Sequence, residues 1–371
     1  MKQILLQTSF LLMIVLLVSW AGTQTDFISE GRQPQLSMDN SGVIRIVFGR
    51  TDNNFRIDSI FCTTSKDKGI TFSKPVLVGT VPQMQLGMTR GPQIASSANY
   101  SIITAMGNKG NIYFFQLNHA LGKWVAKGLV NDIESSAPEG LMGVAADNND
   151  NFYAVWLDIR KGKKNNICFS SLAAKEGKWA KNAIIYTSPD EHVCECCKPN
   201  IAVNGKQVNI MFRNWLNGSR DLYLMQSANR GNTFGPAKKL GTGTWKLKGC
   251  PMDGGGIAVN NTNTVHTVWQ REGVVYYSKP NEDELQLAKG RSCSIAINTA
   301  KSNKVIVCMQ DAGNVKILDV NNKKEIIVGE GSFLRSLILP DEKVFCVWEQ
   351  DKLIKFKKVD LARSGDVALL Q

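Results

Sequence analysis

One short apolar strand recurs seven times along this chain, and that recurrence restricts the available folds more than any other feature. The copies are IRIVFGR, SIITAMG, FYAVWLD, VNIMFRN, VHTVWQR, VIVCMQD and VFCVWEQ. Each is rich in β-branched or aromatic residues and bounded by Gly, Asn or Asp, which is strand and turn chemistry; no long stretch has helical periodicity. Each copy follows another strand, whose end we mark at Met38, Ser96, Val144, Val203, Val259, Ile297 and Leu339. These marks fall roughly 40 to 60 residues apart, and irregular repeats of that size, each holding four short strands, predict an all-β fold, a β-propeller with antiparallel blades. Seven blades are counted, with six still open because two later units are short. The last unit lacks a fourth strand, which residues near Thr25 to Ser29 would supply by closing the ring and removing exposed sheet edges.

The N-terminus reads as an export signal. Lys2 precedes an apolar run, Phe10 to Val18, too short to span a bilayer comfortably, and Ser19-Trp20-Ala21 offers a small-x-small cleavage site, an uncleaved N-terminal anchor helix being the alternative. The expected organisation is a signal peptide over residues 1–21 and a single propeller over 22–371. A monomeric periplasmic or secreted protein without stable membrane insertion is expected. The formal net charge is +12. The Lys and Arg residues are scattered, without the basic run or aromatic interleaving of a nucleic-acid binder, so the excess charge suits an acidic glycan or another anionic partner.

Two turns carry a sharper pattern. SKDKGITF (Ser65 to Phe72) fits Ser-x-Asp-x-Gly-x-Thr-aromatic throughout, and SANRGNTF (Ser227 to Phe234) fits it with Asn229 in place of the aspartate. Asp67 would accept backbone N–H bonds inside the turn, Gly69 would take a positive φ, and the aromatic would pack between strands. In these turns the chain resembles the Asp-box (BNR-repeat) propellers of the sialidase superfamily. The segment DLYLMQSANRGNTFGPAKKLGTGTW followed by CPMDGG also resembles a poorly characterised group of exported bacterial sialidase-like proteins. The resemblance implies the fold; its turns lie at the blade periphery and stabilise it.

In a propeller the first strand of each blade lines the channel, and the residues before it crowd one mouth. Six positions before the marks stand Arg32, Arg90, Pro138 (with Glu139 beside it), Cys197, Asp253 and Arg291, with Arg335 two places out of step. Clustered guanidiniums suit a carboxylate or sulfate, since each offers two parallel N–H donors; pairing with Asp253, Glu139 and carbonyls is the structural alternative. The family resemblance implies an arginine triad for a sialic acid carboxylate, and Arg32-Gln33-Pro34 and Arg90-Gly91-Pro92 resemble its Arg-x-Pro motif. It also implies a tyrosine–glutamate nucleophile and an aspartate acid/base. Tyr276, Tyr277 and Glu272 share one later blade, and Asp253 or Glu139 would be the acid/base by position. Trp245 and Trp215 flank this region as a sugar platform or as core. The expected function is binding of acidic glycans of the sialoside type, with exo-sialidase-like hydrolysis as the reaction if the protein is an enzyme. The alternatives are a non-catalytic propeller with a metal or redox centre and a disulfide-stapled interaction scaffold.

Nine cysteines in an exported chain invite disulfides, and the odd count leaves at least one thiol. Cys62, Cys168, Cys308 and Cys346 lie inside apolar strand patterns and read as buried small hydrophobes. Cys194, Cys196 and Cys197 precede one channel strand, Cys250 the next and Cys293 the one after. Cys250 would bridge to one of the triplet, or the thiolates, with His192, would hold a soft ion such as Cu or Zn. Otherwise no cofactor is expected.

Overall fold

The computed structural model describes residues 27–51, 57–298, 304–362 and 368–369. The expected signal peptide and Thr25 lie outside the described residues. The strands form seven sheets in which each strand pairs antiparallel with the next in sequence. Blade 1 holds Arg32–Met38, Ile44–Arg50, Ile57–Ser65 and Val76–Pro82. Blades 2 to 6 follow in order over 93–129, 142–186, 200–239, 256–289 and 291–330, the last with a two-residue outer strand, Ala368–Leu369. Blade 7 is Ser332–Ile338, Val344–Gln350 and Leu353–Val359, and its outer strand is Phe27–Glu30 from the other end of the chain. The count is therefore seven, and the ring is closed by the N-terminal strand as expected. Among the described residues no helix is long and apolar enough to cross a membrane.

The first strand of every blade contacts the first strands of both neighbours, so these seven strands form the innermost ring. Packing is distributed: one apolar cluster fills each of the seven blade interfaces among the described residues. The central second strands supply most of it, because both of their faces meet a neighbouring blade; Ile46, Ile103, Trp156, Ile210, Val268, Val307 and Val347 are buried. This accounts for their nearly unbroken apolar sequence. The four strand cysteines are buried in these interfaces.

The two patterned turns also tie blades together. Asp67 accepts hydrogen bonds from Ser65 Oγ (2.8 Å), Ile70 N (3.1 Å) and Thr71 N (2.9 Å). The Thr71 bonds, side chain first, hold the Asp67 carboxyl far below the usual carboxylate range. Asn229 repeats the arrangement with Ser227 Oγ (2.8 Å) and Thr233 N (3.0 Å). Phe72 then packs on Phe345 and Phe356 of blade 7, and Phe234 on Phe169 of blade 3.

Candidate functional site

Strand pairing sets the true register of the channel. The residues opposite the first position of each recurring apolar copy (IRIVFGR and its six counterparts) are Met38, Ser96, Ala146, Val203, Val259, Ile297 and Ile338. Two of the sequence marks thus move, Val144 to Ala146 and Leu339 to Ile338. At the mouth, pairing puts Arg32 opposite Gly49, Arg291 opposite Gln310 and Ser332 opposite Glu349, while Arg90, Gly140, Cys197 and Asp253 precede the paired residues of their strands. Arg335 belongs deeper, opposite Val347, in one layer with Gln35, Gln93, Gly143, Asn200, Gly256 and Ser294. Bulges separate the layers in blades 1, 6 and 7, where pairing skips between Arg32/Gln35, Arg291/Ser294 and Ser332/Arg335. The skipped segments carry Gln33, Ser292 and Phe333 at φ of 50°, 53° and 58°, a conformation side chains other than glycine resist.

Below the mouth lies a cavity of about 150 Å³ whose wall includes Thr89, Lys198, Asn200, Asp253, Ser294 and Arg335. It meets, at Gln35, Ser294 and Arg335, a wider chamber of about 480 Å³ toward the other end of the channel. Lys198 is half-buried in the cavity wall, and its Nζ donates to Gln93 Oε1 at 3.1 Å. Burial, with a smaller contribution from Arg335, pulls its pKa down to about 7. Arg335 donates to Gln35 Oε1 (3.2 Å) and to the Leu334 carbonyl (2.8 Å), and burial lowers its pKa too. Among the described residues neither cation has a carboxylate within ion-pair distance. The buried Thr89 hydroxyl in the same wall has no hydrogen-bond partner. Two cations with only amide and carbonyl partners, beside a free hydroxyl, make a receptor for an anion.

The remaining candidates are more heavily engaged. Arg32 is paired with Glu349 at 3.4 Å, and the other Glu349 oxygen accepts the Gln33 N–H at 2.8 Å. Arg90 donates to the Glu139 carbonyl at 2.6 Å, which brings Arg90 and Glu139 together, and burial lowers the Arg90 pKa. Arg291 is exposed at the mouth. Asp253 is buried; its two carboxylate oxygens accept the N–H groups of Gly255 (2.9 Å) and Ser292 (2.7 Å), joining blade 5 to blade 6. A Cβ on neighbouring Gly254 would lie 1.9 Å from the Lys198 carbonyl oxygen, so the Asp-Gly-Gly-Gly run lets blade 5 close on blade 4. Trp245 is buried, with the Arg213 guanidinium 5.4 Å from its ring centroid. Trp215 lies against both the His192 ring and the Arg220 guanidinium. Tyr276, Tyr277 and Glu272 are on or beside the third strand of blade 5; Tyr277 bonds to His266 and Tyr276 lies under Arg271.

The cysteines converge. Cys196 and Cys250 form a disulfide, with Cα atoms 6.2 Å apart, joining the entries of blades 4 and 5. The sulfurs of Cys194, Cys196 and Cys197 lie within 4.8 Å of one another, and Cys293, bonded to Asp253, is separate. Arg220 Nη1 donates to Cys194 Sγ at 2.9 Å. The Cys194–Cys197 hydrogen bond lowers the Cys194 thiol to about 6, aided by Arg220 and Arg213 and opposed by burial. Arg213, itself buried, donates to the carbonyls of Asp253, Arg220 and Gln270.

Arg335 was among the sequence candidates, but Lys198, Thr89 and Gln35 escaped the sequence reading. Lys198 stands in plain view in the Cys-Cys-Lys-Pro segment, but its neighbours drew the attention. No family model matches the sequence, and no curated protein matches it. Solved structures do. An α-L-arabinanase of Penicillium chrysogenum, complexed with arabinobiose, is 11% identical over 91% of this chain and 98% of that chain, at TM-score 0.54. The α-L-arabinofuranosidase Arb93A of Fusarium graminearum, in complex with an iminosugar inhibitor, is 10% identical over 90% and 94%, at TM-score 0.52. A leech intramolecular trans-sialidase is 14% identical over 92% and 69%, at TM-score 0.49. At such low identity the arabinanase and the arabinofuranosidase establish the fold: this chain shares their propeller architecture along almost its whole length.

Proposed function

We propose that the protein is an exported Asp-box propeller that recognises acidic glycans of the sialoside type at its channel mouth. The observation carrying this reading is the pair Lys198 and Arg335, which face one cavity without a carboxylate partner and share it with the unpartnered Thr89 hydroxyl. A sugar carboxylate entering here would take charge-assisted bonds from both cations. The patterned turns at Asp67 and Asn229 support placement among Asp-box propellers, and the apolar run after Lys2 supports export. The arabinobiose complex of a similarly folded enzyme supports a sugar ligand. Recognition takes precedence over turnover because Asp253 has both oxygens occupied and Glu139 lies beside Arg90.

Calorimetric titration with a sialoside, a glucuronoside and a neutral galactoside tests the reading. Binding of the two acidic sugars only is expected, with Arg335→Ala and Lys198→Met each weakening it about 10- to 100-fold, the range of a charged hydrogen bond. Arg291→Ala should leave affinity nearly unchanged. Unaltered binding in both channel variants would refute the site. Hydrolysis of a fluorogenic sialoside that disappears in Asp253→Ala would make the protein an enzyme.

A further inference from the structure

Beside the channel, the Cys194 to Cys197 turn holds three sulfurs in a nearly equilateral triangle. The separations are 3.6 Å for Cys194–Cys197, 3.8 Å for Cys194–Cys196 and 3.9 Å for Cys196–Cys197. A thiophilic ion about 2.3 Å from each thiolate keeps sulfurs about 3.8–4.0 Å apart, whether the set is tetrahedral or trigonal. The triangle therefore already has the edge length of a metal–thiolate site. Cys194 and Cys197 are buried, whereas Cys196 is partly exposed, so an ion has one side of entry. One guanidinium reaches the sulfurs: Arg220 donates to Cys194 at 2.9 Å. The buried Arg213, whose N–H groups go to the carbonyls of Asp253, Arg220 and Gln270, adds a second positive charge nearby. No histidine completes a fourth corner: His192 Nδ1 turns to the Val193 carbonyl at 3.1 Å, and its ring stacks on Trp215. Three sulfurs at this spacing suit monovalent copper, which accepts three-coordination, whereas zinc would need the Cys250 thiol, released from Cys196 on reduction, as a fourth ligand.

We propose that Cys194, Cys196 and Cys197 form a trigonal copper(I) site that opens when the Cys196–Cys250 disulfide is reduced by a dithiol. The dithiol gives up two electrons and two protons, becoming a disulfide itself, and leaves Cys196 and Cys250 as thiols. Copper(I) then displaces three protons from Cys194, Cys196 and Cys197, forming three Cu–S bonds. The resulting complex carries a charge of 2−, which the guanidiniums of Arg220 and Arg213 offset. The disulfide acts as the gate: while it is closed, the Cys196 sulfur cannot ligate as a thiolate. This site is independent of the glycan reading, and either can fail without the other.

The test presents copper(I), held by a chromophoric chelator, to the purified full chain without oxygen, before and after treatment with a dithiol. The reduced protein should withdraw one equivalent per chain and gain ultraviolet thiolate-to-copper absorption. Bound copper should protect Cys194, Cys196 and Cys197 from alkylation while Cys250 stays reactive, and the disulfide form should withdraw none. Cys194→Ser and Cys197→Ser should each lower affinity at least 100-fold, with Cys308→Ala unchanged. Should the serine variants misfold, alkylation protection in the natural chain decides alone. Copper left entirely with the chelator overturns the proposal. So does capture by the disulfide form, or preferential uptake of zinc with Cys250 protected as a fourth ligand.

Discussion

Lys198 concentrates the chemistry of the channel in one residue. A half-buried ammonium near Arg335 loses hydration without gaining a carboxylate, so its pKa falls to about 7 from the usual lysine range. A folded-state pKa below the unfolded value costs stability, in full below pH 7 and progressively less as pH rises from about 7 towards 10. Lys198→Met should accordingly raise the melting temperature at pH 6, with a gain that shrinks across that window; calorimetric unfolding at several pH values measures it. A residue that weakens its own fold is understandable where it serves a ligand. None of this could be read from Lys198 in the sequence, because its burial depends on Gln93 and Arg335, more than one hundred residues away in either direction. Arg32 and Arg90 were conspicuous by their Arg-x-Pro setting, yet the structure gives Arg32 to Glu349 and Arg90 to a carbonyl.

At the scale of elements, the turns were legible and the channel strands were not. Ser65 to Phe72 is local chemistry: Asp67 bonds within four residues, so sequence spacing suffices to predict it. Gly69 is required twice over, by a φ of +78° and by Phe345, which would lie 2.6 Å from an added Cβ. Gly69→Ala should therefore lower stability by about 2 kcal/mol or more, combining backbone strain with a displaced core ring, as urea unfolding would show. The first strands of blades 1, 6 and 7, by contrast, each gain a residue in a bulge. Counting back from a strand end then misplaces everything beyond the bulge; Arg335 lies before the bulge, opposite Val347, and its offset marks the deeper layer. The cysteine triplet was visible as a cluster, but its pairing through Cys250 depends on how blade 5 docks against blade 4.

For the whole molecule, recurrence of one strand pattern made the propeller predictable, since each blade must bury both faces of its central strands. Closure rests on Phe27–Glu30, which completes blade 7 beside the seam where Phe72 meets Phe345. A chain beginning at Gly31 should melt at lower temperature and self-associate as concentration rises, because Leu353–Val359 becomes an open edge; calorimetry and size-exclusion chromatography would report both. The closed ring in turn fixes Lys198 and Arg335 across one cavity, and that juxtaposition is the basis of the proposed recognition. The most direct test is the affinity for a methyl sialoside at pH 6 and at pH 8.5, in the natural chain and in Lys198→Met. The ligand carboxylate is ionised at both values while Lys198 titrates near 7. Binding should weaken roughly tenfold or more at the higher pH in the natural chain and stay level in the variant. Equal affinity at the two pH values, or the same pH dependence without Lys198, would contradict the account.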